Sequence, residues 1–295
     1  VNRAEKEQTS QPLGHLLAYA TQVLSAAEIE SPRREARLLM AYALGWRAEQ
    51  LLAASQQDYV PEQPFLSYLE RRAAREPMAF ITGSKGFWTL DLAVSPATLI
   101  PRGDSETVLS CLLDYCPDKN AKLSLLDLGT GTGCLLLAAL AEYEQAWGIG
   151  GDINPSAAQL AAKNAMLCGL TKRAFFFAGR WDDALQGQRF DVVLSNPPYI
   201  PTSDLESLMP EVRQHEPLAA LDGGEDGMEA YRALCARLPF LLTEQGIAIF
   251  EIGVHQSDDI RRVADQNNVE VVEIRKDLGD VPRAVVLRVR SEKTA

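Results

Sequence analysis

The chain has 295 residues, a length that fits one large domain plus a smaller one and allows a sizeable core. With 46% hydrophobic and 23% charged residues it is ordinary globular protein, which excludes long disorder. The 40 acidic residues outnumber 29 basic ones, and a net charge of -11 lacks the electrostatic footprint of a general nucleic-acid binder.

The first third reads as helices. Leu13, Leu16, Leu17, Ala20, Val23 and Leu24 recur at helical spacing. Ser31-Pro32 predicts a second helix, with Ser31 as N-cap and Pro32 in the first turn. It runs through Ala36, Leu39, Met40 and Ala43 to Gly45. A third helix covers Ala48–Ala53, and a fourth runs from Pro61 through Phe65, Tyr68 and Leu69 to Arg75. No strand pattern interrupts them, so residues 1–76 are expected to form a small helical domain.

Residues 77–101 change in texture. Phe80, Ile81, Phe87, Trp88, Leu90, Leu92 and Val94, punctuated by Gly83 and Gly86, predict a β-hairpin linker. Over residues 102–295 strands and helices alternate. Strands are expected at 123–128, 147–152, 174–178, 190–195, 246–252, 269–274 and 284–289, and helices at 105–115, 134–143, 155–168, 228–242 and 255–267. Such alternation implies an α/β fold whose seven-stranded, mostly parallel sheet is covered on both faces.

Cys111, Cys116, Cys134, Cys168 and Cys235 form an odd set without a C-x-x-C pair, and His15, His215 and His255 have no metal-like spacing. Reduced thiols and no metal site are the expectation. No apolar run approaches the roughly 20 residues of a membrane span, and the polar start, Val1-Asn2-Arg3-Ala4-Glu5, lacks the apolar stretch of a signal peptide. A cytoplasmic protein is expected.

Leu125-Leu126-Asp127-Leu128-Gly129-Thr130-Gly131-Thr132-Gly133 is a buried strand running into a glycine turn with a helix directly behind it. Glycines there let backbone N–H groups approach a ligand and let the chain reverse sharply. Alone, the same pattern also fits a tight turn that needs positive φ. About 20 residues on, Asp152 stands at the tip of the next strand, where an α/β nucleotide site puts a carboxylate on ribose hydroxyls. Asp152 is also a candidate N-cap for the helix opening at Pro155. The glycine spacing is not the G-x-G-x-x-G of a dehydrogenase, and no phosphate-clamping Lys follows. It resembles the first motif of class I S-adenosylmethionine-dependent methyltransferases, in which the loop Gly129, Thr130, Gly131, Thr132, Gly133 would cup the methionine half of the cofactor.

The fourth strand ends in Asn196-Pro197-Pro198-Tyr199. Two prolines cannot continue a strand, so they set a rigid turn at the carboxyl edge of the sheet, where α/β folds bind ligands. The Asn196 side-chain oxygen and the Pro197 carbonyl can each accept an N–H from a planar NH2 group. That would aim a poorly nucleophilic nitrogen at a methyl donor. Tyr199 can stack on the planar group, and Pro198 stiffens the frame. These residues serve amide and adenine nitrogen alike.

The remainder of the chain separates the two. Phe87-Trp88, Val94 to Arg102, Asp127 to Gly133, Ser195 to Ile200, His215 to Gly227, Glu251-Ile252-Gly253 and Asp277-Leu278-Gly279 together resemble the release factor glutamine methyltransferases of the HemK family. The resemblance runs from the helical region to near the C-terminus. It implies a Rossmann-like methyltransferase domain preceded by a helical substrate-docking domain. The implied activity is methyl transfer from S-adenosylmethionine to the glutamine of the Gly-Gly-Gln loop of peptide chain release factors. It implies no direct nucleic-acid or membrane partner, and a monomer. By the same resemblance Asp152 and Trp181 would join the glycine loop in holding the cofactor, with Trp181 beside the adenine. Asn196 would touch both cofactor and substrate, and Pro197, Pro198 and Tyr199 the glutamine. Two departures stand out. The family's Pro-Arg-Pro-Asp-Thr-Glu is here Pro101-Arg102-Gly103-Asp104-Ser105-Glu106, and Arg180 precedes Trp181 where an acid is usual. Asp182 or backbone groups are then the candidates for the adenine amino group.

Overall fold

A computed structural model of the chain describes residues 9–185 and 187–290. The described residues divide into two compact units, one within 9–82 with 210–215 and the other within 83–209 with 216–290. The division falls at Thr82/Gly83, later than the expected boundary after residue 76.

The first unit is built from β1 (Ser10–Pro12), α1 (Leu13–Ala26), α2 (Pro32–Leu44), α3 (Ala48–Ala53), β2 (Tyr59–Pro61), α4 (Phe65–Ala73) and α5 (Met78–Thr82). Leu13, Leu16, Ala20 and Leu24 line one side of α1, as their spacing requires, and pack with Leu39, Met40, Phe65 and Leu69. Gly45 ends α2 at φ +64, a conformation open to a residue without Cβ. Four expectations are corrected. Ser31 precedes α2 but its side chain makes no cap hydrogen bond. The unit is not all helical, because β1 and β2 pair antiparallel with Ser10 opposite Pro61. The fourth helix starts at Phe65 because residues 59–61 are taken by β2. Residues 78–82 form a helix rather than part of a hairpin. A short later segment, numbered α9 (Pro210–His215) in chain order, belongs to this unit too. The guanidinium of Arg72, only 6% exposed, pairs with Glu35 and with Glu211 of α9, which Arg75 also meets.

The second unit opens with the hairpin β3 (Ser84–Phe87) and β4 (Leu90–Ala93). It is not a free linker, because Phe87 and Leu92 are buried in this unit's core. A 3-10 turn at Gly103–Ser105 leads into α6 (Glu106–Tyr115). Then follow β5 (Ser124–Leu128), α7 (Cys134–Glu142), β6 (Trp147–Asp152), α8 (Pro155–Leu167), β7 (Ala174–Ala178) and β8 (Phe190–Ser195). The remaining elements are α10 (Glu229–Leu241), β9 (Leu242–Glu251), α11 (Ser257–Gln266), β10 (Val269–Lys276) and β11 (Pro282–Val289).

The seven strands lie in the order β10-β11-β9-β8-β5-β6-β7, with β11 antiparallel to both of its neighbours and the other pairings parallel. Side chains alternate across the sheet. Leu125, Val192 and Leu194 meet α6 and α7 on one face, while Leu126, Leu128 and Val193 meet α10 and α11 on the other. From β5 the chain winds outward through β6 and β7, then returns to place β8 on the opposite side of β5. The loops after β5 and β8 therefore diverge at their carboxyl ends. This reversal of strand order is where a doubly wound sheet opens a crevice.

Candidate active site

A cavity of about 320 Å³ sits at that crevice, a size suited to a small cofactor. Its walls include Thr98, Asp127, Thr130, Gly131, Thr132, Asp152, Trp181, Asn196, Pro198 and Ala219. Loops after β5, β6, β7 and β8 all contribute.

The glycine loop forms the floor. Gly129, Gly131 and Gly133 have φ of +74, +54 and +82. Around Gly129 there is open space, so its requirement is conformational. Gly133 adds a packing demand, since a Cβ there would sit 3.2 Å from both Ala161 and Leu137. The loop is tied to β6 by its own backbone, with Gly129 and Thr130 N–H groups donating to the Gly151 carbonyl. The Gly131 N–H donates to Asp152 Oδ2 at 2.9 Å, and the Asn154 N–H to Oδ1 at 2.8 Å. Burial raises the Asp152 carboxyl, and these two backbone N–H groups oppose the rise. The cap of α8 is Asn154, which accepts from the Ser156 N–H, so Asp152 is a wall residue and not that cap.

Asp127 is 1% exposed. Its Oδ2 accepts the Thr130 hydroxyl at 2.6 Å. Its Oδ1 and the Thr132 hydroxyl oxygen are buried without a hydrogen-bond partner among the described residues. Burial pushes the Asp127 carboxyl up to about 7, against the Thr130 hydroxyl and the Leu136 backbone N–H, which favour its charged form. Two buried polar atoms at one wall call for a polar ligand group, because leaving either unpaired costs about 1–3 kcal/mol.

Trp181 holds φ +46, an uncommon backbone for a bulky side chain, and lines the cavity beside Arg180. Asp182 is not part of the wall, and both its oxygens are engaged by Arg237, at 2.7 Å for the closest contact.

At the far wall, Ser195 donates to the Leu128 carbonyl at 2.6 Å, pinning the end of β8 to the end of β5. Asn196 follows, half-buried, with its Nδ2 donating to Ser105 Oγ at 3.1 Å. The Ser105 hydroxyl in turn donates to Glu251 Oε2. Having given its one proton to Glu251, the Ser105 oxygen can only accept, so the edge of Asn196 facing it must be the NH2. The Asn196 oxygen is thereby directed away from Ser105. Pro198 lines the cavity, whereas Pro197, buried, and Tyr199 do not. The Tyr199 hydroxyl donates to Glu251 Oε1 at 3.2 Å. Burial, then the Glu251 charge, raise this phenol, which stays a neutral donor.

The segment 216–227 braces the turn. Glu216, 7% exposed, accepts the Ile100 N–H at 2.9 Å and pairs with Arg102 at 2.5 Å, joining two walls. A Cβ on Gly227 would lie 2.4 Å from the Tyr199 carbonyl oxygen. Ser105, Glu216 and Glu251 are thus site residues without an assigned role in the sequence reading. Ser105 and Glu251 stand 146 positions apart and carry no joint signal along the chain. Among the described residues no His/Cys/Asp/Glu group could hold a metal ion, and no helix is long and apolar enough to cross a membrane.

Comparison with known proteins extends this geometry. Residues 15–83 match the model of the PrmC N-terminal domain, and residues 119–277 that of a methyltransferase domain. The release factor glutamine methyltransferase of Rhodospirillum rubrum is 41% identical over 98% of this chain and 88% of its own length. That of Caulobacter vibrioides is 40% identical over 89% and 91%. A methyltransferase from Pyrococcus furiosus shares the fold at a TM-score of 0.52 and 16% identity, covering 74% of this chain and 97% of its own. A glycine-floored cavity at the sheet's crevice, an Asn-Pro-Pro-Tyr turn on its wall and relatives matching nearly end to end place the chain in the release factor glutamine methyltransferase family.

Proposed function

We propose that this chain transfers a methyl group from S-adenosylmethionine to the side-chain amide nitrogen of the glutamine in the Gly-Gly-Gln motif of peptide chain release factors. The observation that carries the reading is the fixed amide of Asn196. Its NH2 edge is committed to Ser105, which leaves the oxygen as an acceptor at the wall of the cavity.

When bound, the cofactor supplies a methyl group on a positively charged sulfur. The glycine loop Gly129 to Gly133 would hold its methionine half, with Asp127 Oδ1 and the Thr132 hydroxyl available to polar groups. Asp152 would accept ribose hydroxyls with the lone pairs its backbone bonds leave free. Trp181 would lie along the adenine.

An amide nitrogen is a weak nucleophile because its lone pair is delocalised into the carbonyl. The Asn196 oxygen and the Pro197 carbonyl would each accept one of its protons, orienting the lone pair towards the methyl. Tyr199 would hold the planar group from its position beside Glu251. No strong base need act first, since the nitrogen becomes acidic once it is alkylated. We place the enzyme in the cytoplasm as a monomer, meeting release factors through its helical unit and no nucleic acid directly. The test is radiolabelled S-adenosylmethionine offered to purified release factors, to their Gly-Gly-Ala variants and to DNA. Label on the first alone supports the reading, and label on DNA would replace it with base methylation.

A further inference from the structure

The bonds behind Asn196 form one chain of donors. Asn196 Nδ2 donates to Ser105, Ser105 donates to one oxygen of Glu251, and Tyr199 donates to the other oxygen of the same carboxylate. Ser105 is 2% and Glu251 1% exposed, so water does not compete for these bonds. The backbone of Glu251 is itself fixed, at the end of β9, where its carbonyl accepts the Tyr231 hydroxyl at 2.8 Å. One buried carboxylate therefore holds two of the four residues of the Asn-Pro-Pro-Tyr turn.

We infer that Ser105 and Glu251 are positioning residues for methyl transfer, acting through Asn196 and Tyr199 rather than on the substrate. This rests on the amide-clamp reading of Asn196. An unanchored carboxamide could rotate by half a turn and present NH2 where the substrate needs an acceptor. It would then repel the amide protons it should receive. The Ser105 oxygen, with its proton given to Glu251, makes that rotated state unfavourable. Glu251 supplies the direction of the chain, because a carboxylate accepts from both sides and donates to neither.

The experiment measures single-turnover methyl transfer by the full chain to a purified release factor at saturating cofactor. Ser105→Ala should slow transfer about 10-fold, the equivalent of one lost hydrogen bond of orientation. The dissociation constant for S-adenosylmethionine and the KM for the release factor should stay within about two-fold of wild type on the same argument. Ser105→Thr should restore the rate, and Ser105→Val, equal to threonine in shape, should not. In an Asn196→Ala background Ser105→Ala should cost nothing further, since the group it orients is gone. Glu251→Gln, which cannot accept from both sides, should slow transfer similarly and stands in if Ser105→Ala does not fold; in the Asn196→Ala background its loss should shrink without vanishing, because Tyr199 remains its partner. A wild-type rate for Ser105→Ala and Ser105→Val, or an undiminished loss in the Asn196→Ala background, overturns the inference. A wild-type rate for Asn196→Ala alone would instead sink the clamp reading beneath it.

Discussion

The Asp152 carboxylate accepts the Gly131 N–H at 2.9 Å across 21 residues of sequence, so the acid at the tip of β6 and the glycine loop after β5 are mechanically one part. Removing the acid should release the loop and, on the proposed reading, also delete a contact to the cofactor. Asp152→Ala is expected to weaken S-adenosylmethionine binding by roughly 1.5–3 kcal/mol, the range for hydrogen bonds to a charged group. Calorimetric titration of the folded variant checks this, and unchanged affinity would mean that neither a ribose contact nor the hold of Asp152 on the loop contributes to binding.

Asp127 predicts a pH dependence of its own. Its carboxyl is pushed up to about 7 in the folded protein from an ordinary 3.8, chiefly by burial. Between those values the folded chain binds more protons than the unfolded one, so this group's contribution to stability falls as pH rises. The contribution is full below about 4 and lost once pH passes about 7. Asp127→Asn, which cannot ionise, should flatten that fall. Denaturant unfolding of the cofactor-free protein at pH 5 and pH 8 should show the variant gaining on the wild type at the higher pH. Parallel curves for the two proteins would mean Asp127 is not the titrating group.

Two glycines should separate packing from binding. Gly227 has φ +73 and no room beside the Tyr199 carbonyl, whereas Gly129 has φ +74 with open space around it. Both alanine variants carry backbone strain of about 1–3 kcal/mol. Gly227→Ala adds a clash with the Asn-Pro-Pro-Tyr turn, so it should melt lower than Gly129→Ala and lose turnover. Gly129→Ala should show its larger effect on cofactor affinity. Thermal melts with and without S-adenosylmethionine distinguish the two patterns.

The helical unit invites a truncation. A chain starting at Gly83 keeps the whole sheet and the cavity walls, but loses Arg72 and Arg75, the partners of Glu211. It should fold and bind S-adenosylmethionine, while methylating an intact release factor far more slowly than the full chain does. Equal rates on the intact protein would remove the docking role from residues 1–82.

What the sequence made legible was local. The strands β5 and β8 announce themselves as short apolar runs, and each ends in residues, Gly129 to Gly133 and Asn196 to Tyr199, whose backbone demands are written in their own composition. Asp152 was legible because its distance from the glycines is set by one helix and one strand. Contacts across the sheet were not. Ser105 meets Glu251 only because α6 and β9 are brought together by strand order, which no window of sequence contains. The pair β1 and β2 escaped for a related reason, since three-residue strands carry no alternation to read and Ser10 finds Pro61 from far along the chain. The strand expected at 246–252 begins earlier, at Leu242, the residue expected to end the preceding helix: Thr243, Glu244 and Gln245 are polar and show no apolar run, yet Leu242 pairs with Phe190 of β8. Glu211 and its arginines belong to the same class of distant pairings.

The central claim is that the Asn196 oxygen orients the substrate nitrogen, and the most direct test is single-turnover methyl transfer by Asn196→Ala at saturating cofactor, with the fold checked by circular dichroism. Loss of one positioned hydrogen-bonding group predicts a fall of about 100- to 1000-fold in rate, with a smaller change in affinity for the release factor. Asn196→Asp, which keeps an acceptor oxygen, should retain more activity than the alanine variant. Transfer by Asn196→Ala at close to the wild-type rate would contradict the amide clamp and leave the glycine loop as evidence of cofactor binding alone.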